Sequence, residues 1–422
     1  MISGQRPTSQ KCDKLDFLFI HQNFPGQYVH IAQHLAATGH QVVFITQRRG
    51  RQIPGIRQIE YAPAYAPSGA HIYFTEIDAA IANGLAVARL CETLKLDGFN
   101  PNLVVGHNGW GEIIYLKDVW PTVPLLGYFE FFYRRSGSDV DFDNEFPPAP
   151  EDAIRLRTRN AINLLGLDAT DWGQTPTEWQ RNQYPRRYWN SISVIHEGVD
   201  TDVVRPDKTA RVWLEGGLWL SRDDEVITYC ARNLEPYRGF HTFMRALPEI
   251  LRRRPNAHVV IAGGDGVSYG RKPAGAETWR EQILGELGER FDLRRVHFLG
   301  HIPYRQYLAI LQVSTVHIYL TYPFVLSWSL LEAMAAGCLV VGSRTPPVEE
   351  VIADGENGYL VDFFDIDGIA DKVEFACARR NRHDSLCRAA RANVMMRYDF
   401  KTVCLPAHLT LLRSLCGAGG PL

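Results

Sequence analysis

The sequence predicts an α/β protein built from two doubly wound parallel-sheet domains in tandem. Short apolar segments that suit buried parallel strands alternate with amphipathic helical segments, and the alternation restarts near the middle of the chain. A chain of 422 residues is also longer than one hydrophobic core usually serves. The composition, with 45% hydrophobic and 22% charged residues, is that of an ordinary globular protein.

The first half opens with a βαβ pattern. The apolar segment LDFLFI (15–20) predicts a buried strand, and after the loop HQNFPGQ (21–27) the segment 28–40 has the apolar spacing of a helix. QVVFIT (41–46) predicts the next strand, which a right-handed crossover makes parallel to the first. Four later segments continue the strand series: 102–107, 124–130, 168–175 and 192–198.

The second half repeats the pattern, with a strand at 225–231, a helix at 239–255 and a strand at 258–264. Three further strands are predicted at 295–300, 315–320 and 338–343. Ligands of such sheets bind at the carboxyl ends of the strands, so we expect a site in the cleft between the domains.

The polar, proline-containing stretch 201–213 lacks an apolar period and is typical of a linker. We therefore predict domains at 15–203 and 204–397. The last amphipathic segment, within 398–418, predicts a helix that packs back onto the first domain. Residues 1–14 and the terminal GAGGPL predict disordered tails.

Charge and cysteine content argue against several classes of protein. The formal net charge is −2, so the chain has no global positive field of the kind that binds nucleic acid. Its eight cysteines form no CxxC pair, which argues against a zinc site and for a reduced, cytoplasmic chain. The amino terminus has no apolar signal-peptide core, and no segment approaches the roughly 18 apolar residues of a membrane span.

One carboxylate interrupts an apolar stretch of small residues, FVLSWSLLEAMAAG (324–337). Ser327 or Ser329 is a suitable N-cap and Gly337 a suitable stop for a helix whose first turn or so would contain Glu332. One interpretation is that the helix dipole and free amides stabilise Glu332 without a ligand. The other is that Glu332 binds a ligand beside an anion-binding helix N-terminus.

Five stretches decide between these interpretations: HQNFPGQ (21–27), VIHEGVDTDVVRP (194–206), ARNLEPYRGF (231–240), FVLSWSLLEAMAAG (324–337) and VEEVIADGENGYLV (348–361). In this order they resemble the motifs of the family-4 retaining glycosyltransferases. The resemblance extends over about the whole chain from Leu15 to Leu415. It implies the GT-B fold, in which two Rossmann-like domains face each other across a cleft, and sugar transfer from a nucleotide-diphosphate sugar.

The resemblance implies that Glu332 accepts hydrogen bonds from both ribose hydroxyls of the nucleotide, since two carboxylate oxygens suit a vicinal diol. Amides at the start of its helix would face the diphosphate or the donor sugar. These are the amides of Leu326, Ser327, Trp328 and Ser329.

Two arginines would neutralise the departing diphosphate, Arg232 and Arg238, so the resemblance implies that no metal ion or other cofactor is required. Arg238 stands where the family has a lysine, which favours bidentate phosphate contact. The spacing between the two is about one residue longer than usual in the family, so Asn233 is an alternative for the position of Arg232.

Further site residues follow from the same resemblance. His107 would contact the donor sugar from the first domain, and the loop at Gly26 would let backbone approach the reacting groups. Gly264 would border the nucleotide pocket, and Ile302 would flank the base. Phe324 departs from the family pattern, because a glutamate that holds a hydroxyl of the donor sugar is usual there.

The segment 127–150 runs from aromatic to basic, acidic and proline-rich residues. It is open to two interpretations: an acceptor-facing loop in which Glu130 and 131–133 line the acceptor or a lipid carrier, or a well-packed insertion. The positive charge at 155–160 and 181–189 also has two interpretations. It could form a solvated basic face, or it could make peripheral contact with the inner face of an anionic membrane.

The sequence thus predicts a retaining, metal-independent hexosyltransferase. Its donor would be a UDP-sugar or GDP-mannose, and its acceptor a glycan or a lipid-linked glycan in polysaccharide or glycoconjugate biosynthesis. Two alternatives are a sugar-nucleotide epimerase of the same architecture and an inactive nucleotide-sugar-binding protein. A dehydrogenase is disfavoured because no GxGxxG follows the first strand.

Overall fold

The structure, a computed structural model, describes residues 14–69, 71–378 and 383–417. Of the predicted tails, only Lys14 and Gly417 belong to this part of the chain, and the other tail residues lie outside it.

The first domain is built on a sheet of parallel strands with helices on both faces. Its strands are β1 (Asp16–Ile20), β2 (Gln41–Thr46), β3 (Ile56–Glu60), β4 (Leu103–His107), β5 (Leu125–Tyr128), β6 (Trp172–Thr175) and β7 (Ile192–Val194). Their order across the sheet is β3-β2-β1-β4-β5-β6-β7. The helices are α1 (Val29–Ala37), α2 (Thr75–Leu96), α3 (Leu116–Val119), α4 (Pro150–Ala169) and α5 (Glu178–Gln183).

Strand β1 shows why these apolar segments form a sheet covered on both faces. Successive side chains of a strand point to opposite faces. Phe17 and Phe19 accordingly lie in one hydrophobic core of the first domain, whereas Leu18 and Ile20 lie in the other. All four side chains are fully buried, as expected of a central parallel strand.

An antiparallel hairpin precedes the second sheet and consists of β8 (Arg211–Leu214) and β9 (Leu218–Ser221). The parallel strands that follow are β10 (Val226–Asn233), β11 (His258–Gly264), β12 (Val296–Phe298), β13 (Val316–Tyr319), β14 (Val340–Ser343) and β15 (Tyr359–Val361). Their order is β12-β11-β10-β13-β14-β15. The helices are α6 (Phe240–Arg253), α7 (Trp279–Leu287), α8 (Tyr304–Val313), α9 (Trp328–Ala335), α10 (Pro346–Glu349), α11 (Ile366–Ala378), α12 (Asp384–Tyr398) and α13 (Leu405–Cys416).

The two parallel sheets confirm the predicted doubly wound α/β class. Helix α13 packs on the first domain, because Leu409, Leu411 and Leu412 lie in the same core as Phe17. Within the described residues, no helix combines the length and the apolarity that crossing a membrane requires.

Several predicted elements were wrong in detail. The strand predicted at 168–175 begins as the end of α4, and that predicted at 192–198 ends at Val194. The predicted linker at 201–213 contains the start of β8, a short strand in which exposed and buried residues alternate. The short edge strands β3 and β15 were not predicted, because β3 contains polar residues and β15 is only three residues long.

Candidate active site

A cavity of about 480 Å³ lies between the two domains, at the carboxyl ends of the strands. It opens where the strand order of each sheet reverses, between β1 and β4 and between β10 and β13. Most of its first-domain wall comes from residues after β1, β4 and β5: His21, Gly26, Gln27, Trp110, Glu130 and Tyr133. The second-domain wall includes Arg232, Asn233, Glu235, Arg238, Tyr269, Phe324 and residues 326–329.

The structure brings most of the predicted site residues together around this cavity. Gly26, Arg232, Asn233 and Arg238 line the cavity, as do Leu326, Ser327, Trp328 and Ser329. Four predicted residues are not part of the described cavity wall: His107, Gly264, Ile302 and Glu332.

Helix α9 begins at the cavity with Ser327 as its N-cap. The prediction of four free amides here was wrong for two of them. The Ser327 amide donates to the Tyr319 hydroxyl at 2.8 Å, and the Ser329 amide donates to Ser327 Oγ at 3.3 Å. Within the described chain, the amides of Leu326 and Trp328 donate to no protein acceptor, so both are available to an anion in the cavity.

Glu332 lies at the start of the second turn of α9, whereas the sequence predicted it within the first turn or so. Its carboxylate accepts hydrogen bonds from two tyrosine hydroxyls, at 2.7 Å from Tyr304 and 2.9 Å from Tyr307. Burial raises the pKa of Glu332, and the two hydroxyls oppose that rise. The amides at the start of the helix therefore do not stabilise Glu332. Its two oxygens instead accept hydrogen bonds from the two tyrosine hydroxyls.

Arg238 is a buried cation on the cavity wall, 8% exposed. Its Nη1 donates to Thr321 Oγ1 at 2.8 Å and to the Val325 carbonyl at 3.0 Å, and its guanidinium lies 5.2 Å from the centre of the Tyr269 ring. These contacts fix the guanidinium next to the start of α9. Because the protein supplies no carboxylate to these hydrogen bonds, the charge remains available to an anionic ligand.

Arg232 and Asn233 end strand β10, where the pairing with β11 is irregular. Arg232 is exposed on the wall, whereas the Asn233 side chain donates to Ser268 Oγ at 2.7 Å. Arg232 is therefore the charged group that this turn presents to the cavity.

Gly264 and Ile302 lie behind the wall. A Cβ on Gly264 would be 2.2 Å from Nε2 of His301, so the glycine allows His301 to pack against β11. Ile302 packs against a hydrophobic core of the second domain. Their predicted contacts with the nucleotide stay predictions.

The Gly26 loop depends on its glycine for conformation and for space. Gly26 has φ +53°, and a Cβ there would be 2.7 Å from the His21 ring. Only glycine meets both requirements, so the backbone lies directly on the cavity.

His107 ends β4 but is covered by Trp110, whose ring is stacked on it with a centroid distance of 4.1 Å. The Gly109 amide donates to Nδ1 of His107 at 2.9 Å, and Nε2 lies 3.6 Å from Oε2 of Glu130. His107 therefore contacts a carboxylate that lines the cavity, and its predicted contact with the sugar stays a prediction.

Three acidic residues lie on the wall: Glu130, Glu197 and Glu235. Of these, only Glu130 was predicted from the sequence to have a site role, in one of two interpretations. Both oxygens of Glu197 are used, by the Tyr128 hydroxyl and by the Trp328 indole at 2.9 Å. Glu235 accepts the backbone amides of residues 268–270 at 3.0–3.2 Å. Glu130 lies two residues after the end of β5, and this place near the end of a strand was the available sequence signal.

Phe324 is 4% exposed and packs among aromatic rings on the wall. Its ring centroid lies 4.6 Å from that of Phe131, 5.0 Å from Tyr269 and 5.6 Å from Tyr237. Both domains contribute to this cluster, so the position that differs from the family pattern is an apolar contact between them.

The structure places different parts of segment 127–150 in different surroundings, and its contact with an acceptor or a lipid carrier stays a prediction. Glu130 and Tyr133 line the cavity. Further along, Asp139 accepts from the Tyr237 hydroxyl at 3.0 Å and Asp143 contacts His241 at 3.1 Å, which fastens the segment to the second domain.

Asp143 and His241 also form, with Glu145, a group whose potential metal ligands lie within 4.8 Å of one another. Arg245 makes two hydrogen bonds to Glu145, at 2.6 and 2.7 Å, and the Tyr322 hydroxyl donates to Asp143. Since these partners occupy the carboxylate oxygens, we assign the group to packing between the domains.

Comparison with known proteins gives two successive family matches. Residues 38–204 match the glycosyl transferase family 4 group, and residues 219–393 match the glycosyl transferases group 1. A GDP-mannose-dependent alpha-(1-6)-phosphatidylinositol monomannoside mannosyltransferase from Mycolicibacterium smegmatis is 28% identical over 251 residues. That match covers 58% of this chain and 62% of the relative's length.

Two solved structures share the fold. The sucrose-phosphate synthase of Thermosynechococcus elongatus superposes with a TM-score of 0.73 at 18% identity, covering 96% of this chain and all of the other. Anabaena HepE, in complex with UDP and glucose, gives a TM-score of 0.67 at 15% identity, covering 94% of this chain and 99% of the other. The chain belongs to the family 4, group 1 glycosyltransferases and has their GT-B fold.

Proposed function

We propose that this glycosyltransferase moves a hexose from a nucleotide-diphosphate sugar, a UDP-sugar or GDP-mannose, to a glycan or lipid-linked acceptor. The name of the mannosyltransferase relative supports GDP-mannose, and the ligands of the HepE structure support a UDP-sugar. The observation that carries the proposal is Arg238, a buried cation held beside two free amides at the start of α9.

The nucleotide diphosphate would bind the second-domain wall. Arg238 and the amides of Leu326 and Trp328 provide a fixed positive region for phosphate oxygens, and exposed Arg232 adds a second cation. Glu332 would bind the ribose hydroxyls, which would then replace the hydroxyls of Tyr304 and Tyr307 as its donors.

We propose that transfer retains the anomeric configuration and requires no metal ion. As the bond from the sugar to phosphate breaks, the two arginines and the amides stabilise the charge on the leaving oxygen. The acceptor hydroxyl attacks the same face of the sugar, and its proton passes to the departing phosphate oxygen. Closure of the cleft excludes water, which would otherwise hydrolyse the donor.

The acceptor would bind the first domain, near the Gly26 loop, Glu130 and Tyr133. Exposed Arg186 and Arg187 lie in a turn with Trp189, whose ring is 6.0 Å from the Arg186 guanidinium. This basic and aromatic turn would let a cytoplasmic enzyme rest on an anionic membrane while it reaches a lipid-linked acceptor in polysaccharide or glycoconjugate biosynthesis.

A thermal-shift screen with UDP, GDP, ADP and their sugar conjugates, in the presence of EDTA, tests the donor site and its metal independence. A ligand at a hundredfold excess over Kd stabilises the fold by about 2.7 kcal/mol. We expect one nucleotide class to raise Tm, and Glu332→Ala to lose the shift. Glu356→Ala, on an exposed surface of the same domain, is the control.

No shift with any nucleotide in a folded sample would contradict the donor site. A shift without release of nucleoside diphosphate from the bound donor, tried with a set of acceptors, would favour the inactive binding protein, for which buried Phe324 is the specific observation. Proton NMR of the anomer first formed tests retention.

A further inference from the structure

The first-domain wall contains buried polar groups that the proposed mechanism has not used. The Asn23 amide donates to Nδ1 of His21 at 2.9 Å, so a hydrogen on this ring is carried by Nε2. That Nε2 is buried and has no hydrogen-bond partner among the described residues, although His21 lines the cavity and is only 3% exposed. An unpartnered buried N–H is costly, and a ligand oxygen would satisfy it.

Glu130 is the acidic residue on the wall whose oxygens have the longest contacts. They lie 3.4 Å from Nε2 of Gln27 and 3.6 Å from Nε2 of His107. By contrast, each oxygen of Glu197 accepts one shorter hydrogen bond, and Glu235 accepts the amides of residues 268–270. An ionised carboxylate can accept about four hydrogen bonds. A ligand that brings hydroxyl donors is the natural partner for such a group.

The charges around Glu130 keep it ionised. Burial opposes ionisation, but the contact with His107 and the guanidinium of Arg232 outweigh it and lower the pKa of Glu130 overall. Arg232 lies on the second-domain wall, where the diphosphate is proposed to bind. A group bound between the side chains of Glu130 and Arg232 would therefore lie next to the diphosphate. The transferred sugar occupies that place in the proposed donor complex.

We propose that Glu130 and His21 select an uncharged sugar as the transferred group. Glu130 accepts a hydrogen bond from one sugar hydroxyl, and Nε2 of His21 donates to a neighbouring sugar oxygen. A sugar that carries its own carboxylate brings a second negative charge close to Glu130, and the site disfavours it. This inference rests on the proposed donor site, and it adds the chemical class of the sugar.

Isothermal titration of the wild-type protein with UDP, UDP-glucose, UDP-glucuronic acid, GDP and GDP-mannose tests the inference. Binding of UDP or GDP alone reports on the proposed function. The additional affinity that the neutral sugar brings reports on Glu130 and His21. We expect Glu130→Gln to leave the Kd of the free nucleotide within twofold and to weaken the neutral nucleotide sugar by about 10- to 100-fold, the effect of losing a charged hydrogen bond.

The two variants distinguish charge from hydrogen bonding. Glu130→Gln should reduce the difference in Kd between UDP-glucose and UDP-glucuronic acid. His21→Asn keeps an acceptor for the Asn23 amide but removes the Nε2 donor, so it should weaken the binding of both conjugates to the same extent. Glu92→Gln, exposed on α2, is the surface control. If Glu130→Gln lowers Tm, the affinities of His21→Asn alone are used to test the inference.

The inference is overturned if the wild type binds nucleotide and neutral nucleotide sugar equally well, or if the variants keep wild-type affinity for the sugar conjugates. Either result leaves the proposed function standing as long as free nucleotide binds. If a guanosine donor is used, GDP-mannose and GDP provide the comparison of neutral sugar with free nucleotide.

Discussion

The two walls of the cavity differ in how their polar groups are held. On the second-domain wall, the protein itself fixes Arg238, Glu235 and the amide of Ser327 by hydrogen bonds of 2.8–3.2 Å. On the first-domain wall, Nε2 of His21 has no hydrogen-bond partner among the described residues, and the oxygens of Glu130 have only long contacts. Polar groups that are already held in place suit the nucleotide diphosphate, which is common to all donors of one class. Polar groups that lack partners suit the sugar, whose hydroxyls can supply the missing hydrogen bonds.

The largest effect should come from Arg238→Ala, which removes the fixed cation. Loss of one preorganised charge-stabilising group slows turnover by about 100- to 1000-fold, and free nucleotide should bind more weakly as well. Release of nucleoside diphosphate measures turnover. Arg252→Ala, whose side chain is 69% exposed on α6, should retain activity. Equal activity in the two variants would show that Arg238 does not face the leaving group.

A smaller effect, confined to the ribose, is expected at Glu332. Wild-type protein should bind UDP or GDP about 10- to 100-fold more tightly than the 2′-deoxy nucleotide, since a charged hydrogen bond is lost. Glu332→Gln should reduce that ratio while its affinity for the deoxy nucleotide changes little. Titration calorimetry measures both constants, and an unchanged ratio in the variant would place the ribose elsewhere.

The first-domain wall should make stability depend on pH. Burial lowers the pKa of His21 from 6.5 to about 3. Between these values the unfolded chain binds a proton that the folded chain does not, so stability falls as the pH decreases from about 6.5 toward 3. The slope from this group is up to about 1.4 kcal/mol per pH unit. His21→Gln should reduce the slope of the free energy of unfolding against pH, measured by urea unfolding between pH 7 and pH 5. Equal slopes for the variant and the wild type would contradict the burial of His21.

The smallest effect is expected at Tyr28, whose buried hydroxyl has no partner among the described residues. Tyr28→Phe should leave the free energy of unfolding unchanged or raise it by up to about 1 kcal/mol. The matched variant is Tyr128→Phe, which removes a donor to Glu197 and should lower stability by about 1–3 kcal/mol. If Tyr28→Phe were as destabilising as Tyr128→Phe, the Tyr28 hydroxyl would have a partner.

The donor side of the site was the more predictable part. Arg232, Arg238 and the start of α9 lie on contiguous or motif-bearing stretches, so their positions followed from the strand and helix that precede them. His21 and Glu130 were harder to assign, because each follows its own strand and they are distant in sequence. Only the parallel neighbours β1, β4 and β5 bring them to one edge.

The sequence by itself determined the fold class, the family resemblance and most residues of the donor wall, because apolar periodicity and local motifs depend on near neighbours along the chain. The positions of the two domain borders, at 203/204 and at 397/398, remain predictions. Only the tertiary structure decided that Trp110 covers His107 and that the hydroxyls of Tyr304 and Tyr307 donate hydrogen bonds to Glu332. It also decided that Phe324 packs in an aromatic cluster from both domains. These outcomes depend on which distant side chains share a buried space, and a one-dimensional pattern does not record that.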